Sequence, residues 1–145
     1  MAIQQLGPRQ CFDLREADPT IVLLDVRTPE EFAEGHPAGA YNVPAFFREA
    51  GGLVPNPELL EVARRLAPPE RRLILSCASG RRSQRAAELL EGAGYQQLIN
   101  LRAGFSGQVD PESGMTLEQG WAGQGLPVAT GADERGWEAV RGAGA

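Results

Sequence analysis

Two runs of branched apolar residues, Ile21–Val26 (IVLLDV) and Arg72–Cys77 (RLILSC), are short and do not alternate with polar positions. Runs of this kind suit strands of a parallel sheet that is covered on both faces. Tyr41–Val43 (YNV) and the QLINL run from Gln97 predict two shorter strands, and IQQL from Ile3 a weaker edge strand. Helical patterns lie between them. Thr28-Pro29-Glu30-Glu31 is a capping box with proline at the first helical position, opening a short helix through about Glu34. Asn56-Pro57 opens a second helix, with Leu59, Leu60, Ala63 and Leu66 on one face. Ser83–Ala93 predicts a third, with Ala86, Ala87, Leu89 and Leu90 inward and Gly94 as its stop. Strand and helix alternate, which predicts an α/β domain with a mostly parallel central sheet flanked by helices on both faces.

After Gly104 the pattern loosens. Glycine, proline and polar residues predict a short helix and ordered loop as far as Val128. Residues 129–145 read as a flexible tail with one helical turn around Trp137, so the domain is assigned to residues 1–128. The full length of 145 residues suits one domain. A chain of this size buries roughly 68–70% of its unfolded surface, enough for a core without covalent staples.

Composition narrows the chemistry. Cys11 and Cys77 are the two cysteines, too few for a disulfide framework and in keeping with a reducing compartment. With one histidine beside them, a zinc site of the Cys/His kind is not expected, and no metal or cofactor is assigned. All fourteen basic residues are arginine; the missing lysine excludes Schiff-base catalysis and a Walker-type phosphate loop. A net charge of −5 argues against nucleic acid as a partner. No run is apolar enough to span a bilayer and the first residues carry no signal-peptide core, so a cytoplasmic protein without a membrane partner is the expectation.

Function in open α/β sheets collects at the carboxyl ends of parallel strands. LLDVR ends in Asp25 and Arg27, and LILSC ends in Cys77, so parallel strands would set these groups on one rim. After Cys77 come Ala78, Ser79, Gly80, Arg81, Arg82 and Ser83, a small and basic turn opening a helix. Such a turn aims backbone N–H groups at a common centre and holds an anion. A free cysteine is only a few per cent thiolate at neutral pH. Inward amides, the Ser83 hydroxyl and an arginine would together favour the charged sulfur, making Cys77 a candidate nucleophile. Cys11, in the amphipathic stretch PRQCFDL, is a candidate for the core.

The ordered set LLDVRTPEEFAEGHPAGAYNVP, LILSCASGRRSQRAAELL, GYQQLINLRAGFSG and a late Gly-Leu-Pro resembles the single-domain rhodaneses, or thiosulfate sulfurtransferases, from about Ile21 to Val128. The resemblance implies a rhodanese-like fold and a cofactor-free exchange. A sulfane sulfur would pass from thiosulfate or a persulfide donor to Cys77, and from there to a thiol or cyanide acceptor. It implies Ala78 to Ser83 as the substrate- and persulfide-binding loop, with Arg81 and Arg82 drawing the sulfonate. Asp25, Arg27 and His36 carry over as supporting residues, His36 with a structural part. A carrier handing persulfide sulfur to a relay protein without turnover is the alternative. A phosphatase or arsenate reductase of the same fold ranks lower, because four residues separate Cys77 from Arg82 where cysteine phosphatases place five before their arginine.

Overall fold

The computed structural model describes residues 3–142. In chain order its first elements are β1 (Gln4–Leu6), α1 (Pro8–Ala17), β2 (Val22–Asp25), α2 (Pro29–Glu34), β3 (His36–Pro37) and β4 (Tyr41–Asn42). Next come β5 (Phe46–Glu49), β6 (Gly52–Pro55), α3 (Leu59–Leu66), β7 (Leu73–Ser76), α4 (Arg81–Gly92) and β8 (Leu98–Leu101). The chain closes with β9 (Gly107–Val109), β10 (Thr116–Gln119), β11 (Val128–Ala129) and α5 (Trp137–Gly142).

A five-stranded sheet runs in the order β1-β8-β7-β2-β4, every pair parallel. Successive side chains of a strand face opposite ways, so each central strand feeds two cores. Leu24, Leu73, Leu75 and Leu98 pack with residues of α3, α4 and α5, including Val62, Ala63, Ala86, Ala87 and Leu90. Leu23, Ile74, Ile99 and Leu101 pack on the other face with Cys11 of α1, Phe32 of α2 and Trp121. The two-faced burial explains why IVLLDV and RLILSC carry no polar alternation. The register aligns Asp25 with Asn42 and Ser76, and Leu75 with Asn100. One rim of the sheet therefore gathers Asn42, Asp25, Cys77 and Asn100.

Several expectations are revised. Gly107–Gln119 forms the antiparallel pair β9–β10 in place of a short helix, with a register shift between Thr116 and Glu118. Phe46–Pro55 forms a further antiparallel pair, β5–β6, that apolar periodicity did not reveal. Leu60 and Leu89, assigned to inward faces, are 36% and 57% exposed. Leu59 and Ala63 face inward as expected, and Val62 joins them on the buried face of α3. Where a flexible tail was expected after Val128, β11 pairs with β3 and α5 seats Trp137 and Val140 in the core with α3 and α4. The large apolar surface of Trp137, lying 5.9 Å from the Phe47 ring, gives this helix its reason to dock. Residues 143–145 lie outside the described residues.

Candidate active site

The chain leaves β7 at Ser76, turns through Cys77–Gly80 and enters α4 at Arg81. Gly80 has φ = +95°, and a Cβ there would collide with the carbonyl oxygen of Arg102. Both the left-handed backbone and the close approach require glycine.

The carbonyls of this turn are held from one side. Phe105 N–H donates to the Cys77 carbonyl (2.7 Å), and the Ser106 and Gly107 amides donate to that of Ala78 (2.9 and 3.2 Å). Gln108 Nε2 donates to the Ser79 carbonyl (3.3 Å), and Asn100 Nδ2 to that of Gly80 (3.2 Å). In a planar trans peptide the N–H lies opposite the C=O. Tethering these carbonyls toward residues 100–108 therefore directs the amides of Ala78, Ser79, Gly80 and Arg81 the other way, at the start of a twelve-residue helix. That is the construction of an anion nest. Gly80 N–H is 3.1 Å from Cys77 Sγ, and Ser83 Oγ is 3.3 Å from the same sulfur. Direct contact to sulfur thus comes from one amide and one hydroxyl, where the sequence suggested several amides. Cys77 is 1% exposed and Ser83 is fully buried.

The two arginines of the loop separate. Arg82 grips Glu31 of α2 with two bonds, Nη1–Oε1 at 2.8 Å and Nη2–Oε2 at 3.0 Å. Glu31 Oε1 also accepts from the Thr28 amide and hydroxyl, each at 3.1 Å, so one carboxylate caps α2 and ties it to α4. Burial pushes the Glu31 carboxyl up, but its bonds from Arg82 and Thr28 outweigh burial and hold it down at about 2. The Glu31 hydrogen bonds raise Arg82 in turn, against burial, and the nearby Cys77 and Asp25 add to the effect. Arg81 is exposed and makes no recorded ion pair among the described residues. It lines a polar hollow of about 380 Å³ with Gln5, Ser79, Gln84, Arg102 and Gln108.

Asp25 and Arg27 form a buried pair at the end of β2, with Arg27 Nη2 2.7 Å from Asp25 Oδ2 and 2.6 Å from the Gly35 carbonyl. Asn42 Nδ2 donates to the Asp25 and Arg27 carbonyls, each at 3.0 Å. The pair's link to the cysteine turn runs through a neighbour: the Arg27 guanidinium lies 4.5 Å over the Phe105 ring, and Phe105 holds the Cys77 carbonyl. His36 is stacked on Phe32 at 3.6 Å, with Nδ1 2.7 Å from the Phe32 carbonyl. It is 2% exposed in β3, fastened to the α2 turn and without a recorded bond to the cysteine turn. Cys11 sits on the opposite face of the sheet, where burial pushes its thiol up to about 12 against a weaker pull from the Arg102 charge. Among the described residues no three His, Cys, Asp or Glu side chains cluster as a metal site requires.

Sequence reasoning missed Glu31 as a partner of Arg82, Asn100 beneath the turn, and residues 102–108 as the holder of its carbonyls. Asn100 alone left a signal: an amide inside the apolar run LINL must be hydrogen-bonded once buried, and it ends on the same rim as Cys77.

The family model of the Rhodanese-like domain matches residues 9–109. Thiosulfate sulfurtransferase 16, chloroplastic, of Arabidopsis thaliana is 41% identical over 105 residues, covering 72% of this chain and 77% of that protein. Protein HIGH ARSENIC CONTENT 1, mitochondrial, of the same plant is 39% identical over 87 residues, 60% of this chain; the aligned part is 52% of that protein's length. Among solved structures, the crystal structure of Rv0390 from M. tuberculosis superposes with a TM-score of 0.75 at 30% identity, covering 90% of this chain and 100% of the other.

Proposed function

The chain belongs to the Rhodanese-like domain family, and on that premise we propose that it is a sulfurtransferase whose sulfur is carried on Cys77. Support comes from one observation above all: Cys77 Sγ lies 3.1 Å from the Gly80 amide, inside a turn whose carbonyls are tethered on the far side. Aligned amides at a helix start favour negative charge at a fixed place, which lowers the barrier to forming and attacking a charged sulfur. The similar Arabidopsis protein is named a thiosulfate sulfurtransferase, which supports thiosulfate as a donor.

The reaction runs in two displacements. The Cys77 thiolate attacks the outer sulfur of thiosulfate, the S–S bond breaks, and sulfite leaves with the electron pair. An acceptor thiolate or cyanide then attacks the outer sulfur of the Cys77 persulfide, and the Cys77 thiolate departs with its pair. The amides of Ala78, Ser79 and Arg81, turned away from residues 100–108, would stabilise charge on that outer sulfur. Arg81, free of ion pairs among the described residues, draws the sulfonate toward the turn. Arg82 acts through Glu31 to hold α4 against α2. Because both its terminal nitrogens, Nη1 and Nη2, are engaged by that carboxylate, Arg82 is poorly placed to grip a phosphate or arsenate.

The test is thiocyanate formation from thiosulfate and cyanide. Wild type is expected to turn over and Cys77→Ser to fall to the uncatalysed rate. A Cys77→Ser protein that keeps its activity would remove Cys77 from the reaction. Formation of a stable +32 Da adduct on wild type without steady-state turnover would favour the carrier reading.

A further inference from the structure

Beneath the cysteine turn, four groups form a closed ring of hydrogen bonds. Gly80 N–H lies 3.1 Å from Cys77 Sγ, Ser83 Oγ lies 3.3 Å from the same sulfur, and Ser83 Oγ lies 2.6 Å from Asn100 Oδ1. Asn100 Nδ2 returns to the Gly80 carbonyl at 3.2 Å, with a second bond to Gln5 Oε1 at 2.9 Å. Ser83 owns a single hydroxyl proton and has two neighbours that could receive it.

The direction of the ring follows from its members. The Gly80 carbonyl can only accept, so the Asn100 amide must present its NH2 there. A flipped amide would set two acceptors face to face. Asn100 Oδ1 therefore points at Ser83, and an O–O separation of 2.6 Å between them demands a proton from Ser83. With that proton committed, the Ser83 oxygen offers lone pairs to Cys77 and accepts the S–H. Each proton in the ring then has one acceptor, and aligned bonds in a ring reinforce one another.

We propose that Asn100 is a positioning residue that holds the Ser83 proton away from Cys77, so that Ser83 accepts from the protonated thiol and the direct donor left to a charged sulfur is Gly80 N–H. Deprotonation removes the S–H bond. Ser83 can then serve the thiolate only by giving up Asn100, which leaves two oxygens 2.6 Å apart with no proton between them. In a persulfide the inner sulfur has no proton to give and bears little charge, so the Ser83–Asn100 bond stays intact. The ring is thus complete around the thiol, keeps its Ser83–Asn100 bond in the persulfide, and loses its Cys77–Ser83 bond in the free thiolate.

The charged groups near the sulfur are few. Arg82 of α4 lies in its field, paired with Glu31 of α2 and close to Asp25 at the end of β2. Arg81, in the same helical turn, is exposed. From β8 the group that reaches the ring is the neutral Asn100, while Arg102 is paired with Glu118. Replacing Asn100 therefore alters the ring without removing a charge.

The inference rests on Cys77 being the reacting thiol, but its test reads the state of the sulfur whether or not sulfur is transferred. Iodoacetamide labelling of Cys77 is followed against pH in wild type, Asn100→Leu, Ser83→Ala and the double variant. Asn100→Leu frees Ser83 to donate to the thiolate. Labelling at pH 7 should be about 3- to 10-fold faster than wild type, with the pH midpoint moved down, since one hydrogen bond to charge corresponds to a factor of this order. In the Ser83→Ala background the same substitution should lose that acceleration, because the proton it releases is gone and only the loss of the Gly80 carbonyl tether remains. A slower Asn100→Leu, or an equal effect in both backgrounds, overturns the proposal. Should Asn100→Leu not fold, the S–H infrared band of Cys77 decides, read in a Cys11→Ser background: lowered by donation to Ser83, and moved upward by Ser83→Ala. A band that Ser83→Ala leaves in place overturns the proposal equally. Loss of thiocyanate formation with the ring behaving as described would refute the sulfurtransferase reading and leave this one standing.

Discussion

Gly80 meets two demands, a positive φ and contact with the Arg102 carbonyl. A methyl group there must push β8's exit away from the turn or pull the turn's carbonyls off their donors. Gly80→Ala is expected to lose about 2–3 kcal/mol of stability in urea unfolding and most thiocyanate formation. The two thiols contrast at the same scale. Cys11 is enclosed by apolar side chains and pushed up to about 12, whereas Cys77 touches a backbone amide and a hydroxyl. Limited alkylation of the native protein followed by peptide mapping should mark Cys77 and spare Cys11; labelling of both at one rate would contradict the two environments. The bare motif Cys-x-x-Gly-x-Arg-Ser located this turn, because local chemistry and a glycine are written in neighbouring positions. It did not say which arginine was free.

Between elements, the link from Glu31 to Arg82 joins the helices on the two faces of the sheet across its rim. Glu31 was legible as the end of a capping box, since that bond spans three residues. Its grip on Arg82 spans fifty-one residues and leaves no trace in local pattern. The carboxyl is held down at about 2 from an ordinary 4.5, so the folded state gains from its charge. For a depressed carboxyl the sign is fixed. The contribution is whole above pH 4.5 and is lost as pH falls toward 2. With these side chains 31% and 21% exposed, solvent screening reduces its worth to about 1–2 kcal/mol. Glu31→Gln keeps the cap geometry and removes the charge. Its stability, measured in urea between pH 6 and pH 2, should fall less steeply than that of wild type. Equal slopes would show that the pair contributes nothing to acid sensitivity.

At the scale of the molecule, α5 packs Trp137–Gly142 back into the core beside the sheet. Trp137 and Val140 are each 4% exposed in the cluster that also holds Leu59, Val62 and Cys77. Trp137→Ala should cost about 3 kcal/mol or more by opening a cavity beside α3. A chain ended after residue 128 should unfold at lower urea than the full chain. Were both as stable as wild type, α5 would be an ornament of the fold. The sequence suggested a helical turn around Trp137 but not its docking, because six residues hold too few turns to mark a buried face. The hairpin β9–β10 escaped for a related reason: Val109, Met115 and Leu117 are 55%, 69% and 67% exposed, so burial imposes no alternation on it.

Residue order alone specified the parallel sheet, three of the helices that cover it (α2, α3 and α4) and the turn that carries Cys77. Those features depend on apolar periodicity, caps and glycine, which act over a few positions. Folding settled what passes between distant segments: residues 100–108 turning the carbonyls, Glu31 claiming Arg82, and Asn100 taking the Ser83 proton. A hydrogen bond is sensitive to fractions of an ångström and to angle. Such placement arises only when strands from different parts of the chain are brought to one rim.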